Sequence, residues 1–191
     1  LIDVADPTES FTVSDYRDLA VPIINRLLSE GKLPLLVGGT RLYLMSLTAP
    51  FAPGPEPSPE LRARLEREPS PVLHAELSRV DPETAARLHP SDQRRIVRAL
   101  EVWYTTGKPI SALQAESRAI PGLYEATWVA LVRERHLLYE RVNERVDEML
   151  AAGLIDEVRG FLAEGLNAKT PSMQGHGYKE IMRALTGESS A

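Results

Sequence analysis

An α/β protein carrying a mostly helical insertion is what this sequence predicts, on three observations. From Phe11 to Leu44 a helix pattern, an apolar strand pattern, a glycine turn and a second helix pattern follow one another, the rhythm of an open parallel sheet. A proline-dense stretch, "PFAPGPEPSP", then breaks the alternation, and nearly everything after it repeats at the helical period. Tyr124–Val132, rich in β-branched and aromatic residues, returns to a strand pattern. The expected division is therefore 1–49 in the α/β core, 50–122 as connector and helical insertion, and 123–191 as a return to the core with a helix pair and a glycine-rich loop.

Each element has a local reason. "LIDVADP" is short, apolar and closed by Asp-Pro, a strand end running into a loop. Thr12 is the expected N-cap of the first helix and Gly31 its stop, with Tyr16, Leu19, Ile23 and Leu27 as the stripe facing a sheet and Pro22 as a possible kink. Leu33–Val37 is a continuous apolar run, the form of a strand buried on both faces. Residues 50–59 should be an extended connector. Helices follow in "SPELRARLERE", "VLHAELSRV" and twice in "DPETAARLHPSDQRRIVRALEVWYTTG", the second of these capped at Ser91. A less regular stretch leads to Pro121. "RERHLLYERVNERVDEMLAAG" and "LIDEVRGFLAEG" make a helix pair, each ending at a glycine.

Composition excludes several functions. The 191 residues are 43% hydrophobic and 26% charged with a net charge of −5, a globular balance and not that of a wholly basic nucleic-acid binder. No cysteine is present, so disulfide frameworks and Cys-ligated metal sites are ruled out. No apolar run approaches the ~18 residues of a membrane span. With no signal-peptide pattern either, the cytoplasm is the expected compartment. Because the chain starts without methionine inside an apolar run, it is expected to be an internal piece of a longer protein.

Four patterns are candidates for chemistry. Gly38-Gly39-Thr40, between strand and helix, would present backbone amides and a hydroxyl at a helix N-terminus, where anions bind, or would simply be a tight turn. In "HPSDQRRIVRALEV", Arg94 and Arg98 share a helix face with Arg95 beside them. Ile96, Val97, Leu100 and Trp103 point the other way. The arginines are either a phosphate-gripping cluster or an ordinary solvated face. Arg145 borders the stripe of Leu138, Val142, Val146 and Met149, so it either meets a bound anion or lies along the flank paired with Glu148. "TPSMQGHGYKE" places Gly175 and Gly177 around His176 at a helix entrance. The four histidines form no recognisable metal motif, no G-x-S-x-G elbow occurs, and no G-x-x-x-x-G-K-[ST] phosphate loop occurs.

Taken in order, "LIDVADP", "FTVSDYRDLA", "LPLLVGGTRLYL", "DPETAARLHPSDQRRIVRALEV", "TGKPIS", "LYERVNERVDEMLAAGLIDEVRGFL" and "PSMQGHGYKEI" resemble the tRNA dimethylallyltransferase (tRNA isopentenyltransferase) family. The resemblance implies a P-loop, nucleotide-kinase-like parallel-sheet core with an inserted helical domain. It implies transfer of a dimethylallyl group from dimethylallyl pyrophosphate to the exocyclic amine of an adenosine next to the anticodon of tRNA, assisted by Mg2+, with the base flipped into a channel. The partners would be the tRNA anticodon stem-loop and dimethylallyl pyrophosphate, and the protein a monomer. Arg145 would be the catalytic residue on the leaving pyrophosphate. Gly38, Gly39 and Thr40 would line the substrate channel. Arg94, Arg95, Ile96, Val97 and Arg98, with Met173, Gln174, Gly175, His176, Gly177 and Tyr178, would contact the tRNA. No residue is expected as a metal ligand.

The family's G-P-T-A-x-G-K-[ST] loop, its general-base aspartate and its C-terminal tRNA-contacting helix have no counterpart in these residues, and His176 stands where an aliphatic residue is expected. The chain by itself is accordingly expected to be inactive. The competing readings are a small-molecule or nucleotide kinase of the same core fold and a non-catalytic RNA-binding helical module.

Overall fold

The computed structural model describes residues 1–51 and 54–187. Ala52 and Pro53 of the expected connector, and the last residues of the expected third segment, lie outside them. Ten α-helices and one 3₁₀ turn occur among the described residues, and no strand. The chain separates into two compact units, Leu1–Thr12 with Thr127–Ala191, and Val13–Ala126. This division differs from the three segments expected, because the first two helices fall with the insertion helices.

The larger unit begins with α1 (Val13–Ser29), which runs through Pro22 unbroken. Gly31, at φ 70°, follows as the left-handed stop. Its buried face is Ala20 and Ile24 with Tyr16 packed beside them, one step round from the expected stripe, so Leu19 and Ile23 stay exposed. With Leu47 of α2 (Arg41–Thr48) these residues form a small core. The second core lies among α3 (Pro59–Leu65), α4 (Ser70–Val80), α5 (Pro82–Arg87) and α6 (Gln93–Thr106), where Leu65, Leu73, Leu77, Ala85, Ile96, Val97, Ala99 and Leu100 are buried together. Asp92, not Ser91, caps α6. Its carboxylate accepts from the Arg95 N–H, while the Ser91 hydroxyl bonds His89 Nδ1 at 2.7 Å. Pro109 then opens α7 (Ile110–Arg118), a helix in the stretch read as irregular, where polar side chains hide the period.

The smaller unit contains α8 (Arg135–Ala151), α9 (Leu154–Ala163), a 3₁₀ turn at Pro171–Gln174 and α10 (Tyr178–Thr186). Val158, Leu166, Met173 and Met182 form its core. Glycines with positive φ, Gly153 and Gly165, end the paired helices as expected.

The three runs expected as strands are not strands among the described residues. A strand exists only through a ladder of hydrogen bonds to a neighbour, and none of the three finds one. In the second run, Leu36 packs against the small core, but Leu33 is 91% and Leu35 84% exposed. A strand covered on both faces would bury these residues. Leu131, in the third run, is 97% exposed. The sequence carries strand composition without the partners that would turn it into a sheet.

Candidate functional site

The most developed polar arrangement lies where α3 meets α6. Glu101, 0% exposed, sits in the run Ile96–Val102 that faces the core. Its Oε2 accepts from Arg62 Nη2 and Arg98 Nη1, each at 2.8 Å, and its Oε1 accepts from the Ser58 N–H at 2.9 Å. Burial alone would raise the Glu101 carboxyl. The hydrogen bonds from Arg98, Arg62 and Ser58 outweigh it and hold the group below its ordinary value. Arg98 Nη2 also donates to the Pro55 carbonyl at 3.0 Å, pinning the proline-rich segment to α6. Above this network opens a cleft of about 680 Å³ lined by Arg62, Glu66, Gln93, Arg94, Val97 and Arg98.

The expected arginine face is thus partly realised. Arg94 and Arg98 line the cleft together, and Arg94 forms no ion pair with any described residue. Arg95 turns to Asp92, pairing at 2.9 Å with its side chain 75% exposed. Ile96 and Val97, named as RNA contacts, are core residues, and only Val97 reaches the cleft wall.

In the glycine-rich loop the residues divide in the same way. Met173 is fully buried and anchors the 3₁₀ turn. The Ser172 hydroxyl donates to the Pro7 carbonyl at 2.7 Å, tying this turn to the Asp-Pro loop. Gln174, Gly175 and His176 are exposed. Gly177, at φ 90°, makes the sharp entry into α10, and its N–H donates to Glu180 Oε2 at 2.9 Å. Tyr178 is half-buried, its ring stacked on Phe161 at 6.2 Å and its hydroxyl donating to Glu157 at 2.8 Å. Burial, and then that bond to a carboxylate, raise its phenol. It braces α9 against α10.

Gly38, Gly39 and Thr40 are exposed at the start of α2, and Thr40 caps it without a side-chain bond. A Cβ on either glycine would meet nothing within 4 Å. Close approach inside this chain does not require them.

Arg145 is not directed into a buried place, because α8 buries none of its residues. The stripe of Leu138, Val142 and Val146 is exposed, and Leu138 and Val142 with Arg141, Glu144, Arg145 and Glu148 wall a shallow groove of about 260 Å³. Arg141 pairs with Glu144 at 3.7 Å. The Glu148 pair that would occupy Arg145 is not formed, and Arg145 has no ion pair with a described residue. Magnesium finds no ready site: among the described residues no three His, Asp or Glu side chains converge. No residue is assigned to it and no step is derived through it. Among the described residues no helix is long and apolar enough to cross a membrane.

The family model "IPP transferase" matches residues 1–191. The chain belongs to the IPP transferase family. Among the relatives, the tRNA dimethylallyltransferase of Syntrophobacter fumaroxidans is 44% identical over 194 residues, covering 100% of this chain and 57% of the relative. That of Moorella thermoacetica is 48% identical over 193 residues, covering 98% and 59%. The chain therefore spans less than two thirds of the length of these relatives. Of solved structures, the tRNA isopentenylpyrophosphate transferase of Bacillus halodurans matches with a TM-score of 0.60 at 38% identity, over 99% of this chain and 59% of that one. A eukaryotic dimethylallyltransferase captured acting on tRNA matches with a TM-score of 0.78 at 26% identity, over 96% and 48%.

Set beside this family membership, two polar residues stand out that the sequence reading passed over. Arg62 lies on α3, away from the arginine-rich helix, and nothing in its own segment marks it. Glu101 did carry a signal: it is an acid three residues after Arg98, inside a run of core residues.

Proposed function

We propose that the protein to which this chain belongs transfers a dimethylallyl group from dimethylallyl pyrophosphate to the exocyclic amine of an adenosine beside the anticodon of tRNA. The match of residues 1–191 to the IPP transferase family carries this reading. In the reaction the amine nitrogen attacks the allylic carbon as the carbon–oxygen bond breaks, pyrophosphate leaves with the bonding electrons, and the amine loses a proton to a base. The reaction needs positioned reactants, charge stabilisation on the leaving group and that base. Arg145, a permanently charged fork with no ion pair to a described residue, is suited to the leaving group. Arg94 and Arg98 at the cleft, and exposed Gln174, Gly175 and His176 at the loop, are suited to RNA. The base is assigned to no residue here, and magnesium is kept only as a counter-ion to pyrophosphate.

The P-loop-type parallel sheet belongs to the same proposal, with Leu33–Val37 and residues 124–132 as candidate strands. Their exposed apolar side chains support it. A cytoplasmic location and a monomeric state belong to the same proposal. The test is incubation of the full-length protein with dimethylallyl pyrophosphate and an anticodon stem-loop, followed by mass analysis of its adenosines. A dimethylallyl adduct on the adenosine beside the anticodon is expected. Absence of any adduct, with phosphate transfer from a nucleoside triphosphate to a small molecule instead, would overturn the reading in favour of a kinase.

A further inference from the structure

The cleft between α3 and α6 is more than a charged helix face, because a buried acid sets the position of its cations. A carboxylate removed from water is costly unless its lone pairs are filled. Glu101 has three donors, and two of them are guanidinium groups from different helices. Each of these guanidiniums is thereby fixed along one edge. A guanidinium has five N–H donors, so both keep donors for the cleft, and both remain partly open to solvent. Gly54 makes room for this arrangement, since a Cβ there would lie 2.9 Å from Arg98 Nη2. Gln93 Nε2 bonds the Glu66 and Glu68 carbonyls at 3.2 and 3.3 Å, tying the start of α6 to the end of α3. The wall is therefore braced at both ends, and Arg94 stands between the braces with no ion pair to a described residue.

We propose that Glu101 is a positioning residue that holds Arg62 and Arg98 toward the backbone phosphates of a bound RNA, with Arg94 as the third cation of that phosphate subsite. The inference rests on the RNA-binding reading above and adds Arg62 and Glu101 to it. Backbone is favoured over bases because, among the described residues, Val97 is the one apolar side chain on the cleft wall and no aromatic ring lines it, so a base has no described ring to stack on. Binding to three cations of which two are already fixed loses less side-chain freedom than binding to three mobile ones. The exposed Glu66 opposes the anion from the rim.

The test measures affinity of the full-length protein for an anticodon stem-loop across a salt series. Arg62→Ala is expected to weaken binding about tenfold and to lower the salt slope by about one. Arg62→Lys keeps the charge but loses the planar fork, and should fall between Arg62→Ala and wild type. Glu101→Gln gives the sharper result. It deletes a negative charge beside the cleft, so charge alone would tighten a polyanion. Positioning instead demands weaker binding, and demands that the loss disappear when Arg62 and Arg98 are already alanine.

Tighter binding by Glu101→Gln, or an Arg62→Ala affinity equal to wild type, would overturn the proposal. If thermal melts show that Glu101→Gln does not fold, the two Arg62 variants decide it. Wild-type protein that fails to bind the stem-loop at low salt would instead remove the RNA reading itself. Wild-type binding that Arg94→Ala weakens and Arg62→Ala does not would remove only this inference.

Discussion

Arg98 and Arg145 are both helix arginines that line a groove, but their settings differ. Arg98 stands on α6, whose other face is core, and its guanidinium is tied to buried Glu101 and to the Pro55 carbonyl. Arg145 stands on α8, which buries no residue, and it has no ion pair with a described residue. The first cation is held before any ligand arrives. The second is a charge beside an exposed apolar stripe, and its own helix does nothing to fix it. A fixed cation meets an anion without losing side-chain freedom, whereas a mobile one must first be fixed, by its ligand or by a neighbouring element, before it can stabilise charge developing on a leaving group. Two arginines of similar appearance in the sequence are thus unequally prepared, and of the two Arg98 is the one its own fold positions.

The largest expected effect breaks the comparison if it goes the wrong way. Arg145→Ala in the full-length protein should lower kcat/KM for transfer by about 10²–10³-fold, the loss usual when one stabiliser of developing charge is removed. Its affinity for the stem-loop should stay within about twofold of wild type. Single-turnover rates and binding isotherms on the same preparation decide it. A parallel loss of RNA affinity would mean that the two arginines serve one ligand.

Next in size is Glu101→Ala. Removing one member of a fully buried pair costs about 3–5 kcal/mol, but Arg62 and Arg98 can turn to water, so a loss of about 2 kcal/mol is expected in denaturant unfolding. Acid probes Glu101 together with a second, separate buried carboxylate. Asp81 is buried and accepts from the Thr84 N–H at 3.0 Å, the Thr84 hydroxyl at 2.8 Å and the Ser111 N–H at 3.0 Å, so it caps α5 and steadies the start of α7. Burial alone would raise its carboxyl, but these bonds outweigh burial and hold it below the ordinary value, as they do for Glu101. A carboxyl lowered in the folded state adds stability that is complete above its unfolded value, about 3.9 for Asp and 4.3 for Glu, and is lost as pH falls through the folded value. Unfolding followed by circular dichroism should therefore show an acid limb below about pH 4, made shallower by Asp81→Asn. An unchanged limb would show that other groups control it.

Legibility in the sequence followed the range of the interaction. The shared face of Arg94 and Arg98 and the inward turn of Ile96, Val97 and Leu100 are local consequences of helical spacing, and the structure has them. The stops at Gly31, Gly153 and Gly165 are local too. Arg62 was invisible because its partner lies on another helix. The apolar runs at Leu33–Val37 and residues 124–132 had strand composition, but a ladder needs a neighbour that composition does not supply. Tyr178 looked like a free ring beside two glycines, and its commitment to Phe161 and Glu157 of α9 depends on tertiary packing. Tyr178→Phe measures that commitment: a loss of about 1 kcal/mol in stability is expected, with RNA affinity unchanged. Weakened RNA binding at full stability would return the ring to the RNA.

The smallest effect separates neighbours within the arginine helix. Arg94 and Arg95 are adjacent and carry equal charge, and both border a surface suited to RNA. Arg94 lines the cleft with no ion pair to a described residue, whereas Arg95 points to the Asp92 carboxylate that caps its own helix. That pair is exposed, so it is worth at most about 1 kcal/mol and does not prevent Arg95 from attracting RNA at long range. It does partly cancel the charge that RNA meets. Arg95→Ala should therefore weaken stem-loop binding about twofold and lower the salt slope by less than one, with Arg94→Ala several times larger. The reverse order would mean that RNA displaces Asp92 and binds the N-terminal shoulder of α6 rather than the cleft. Asp92→Asn distinguishes the two outcomes through a double-mutant cycle: the lost charge tightens binding in either case, but the gain should vanish in an Arg95→Ala background only if Arg95 is the contact.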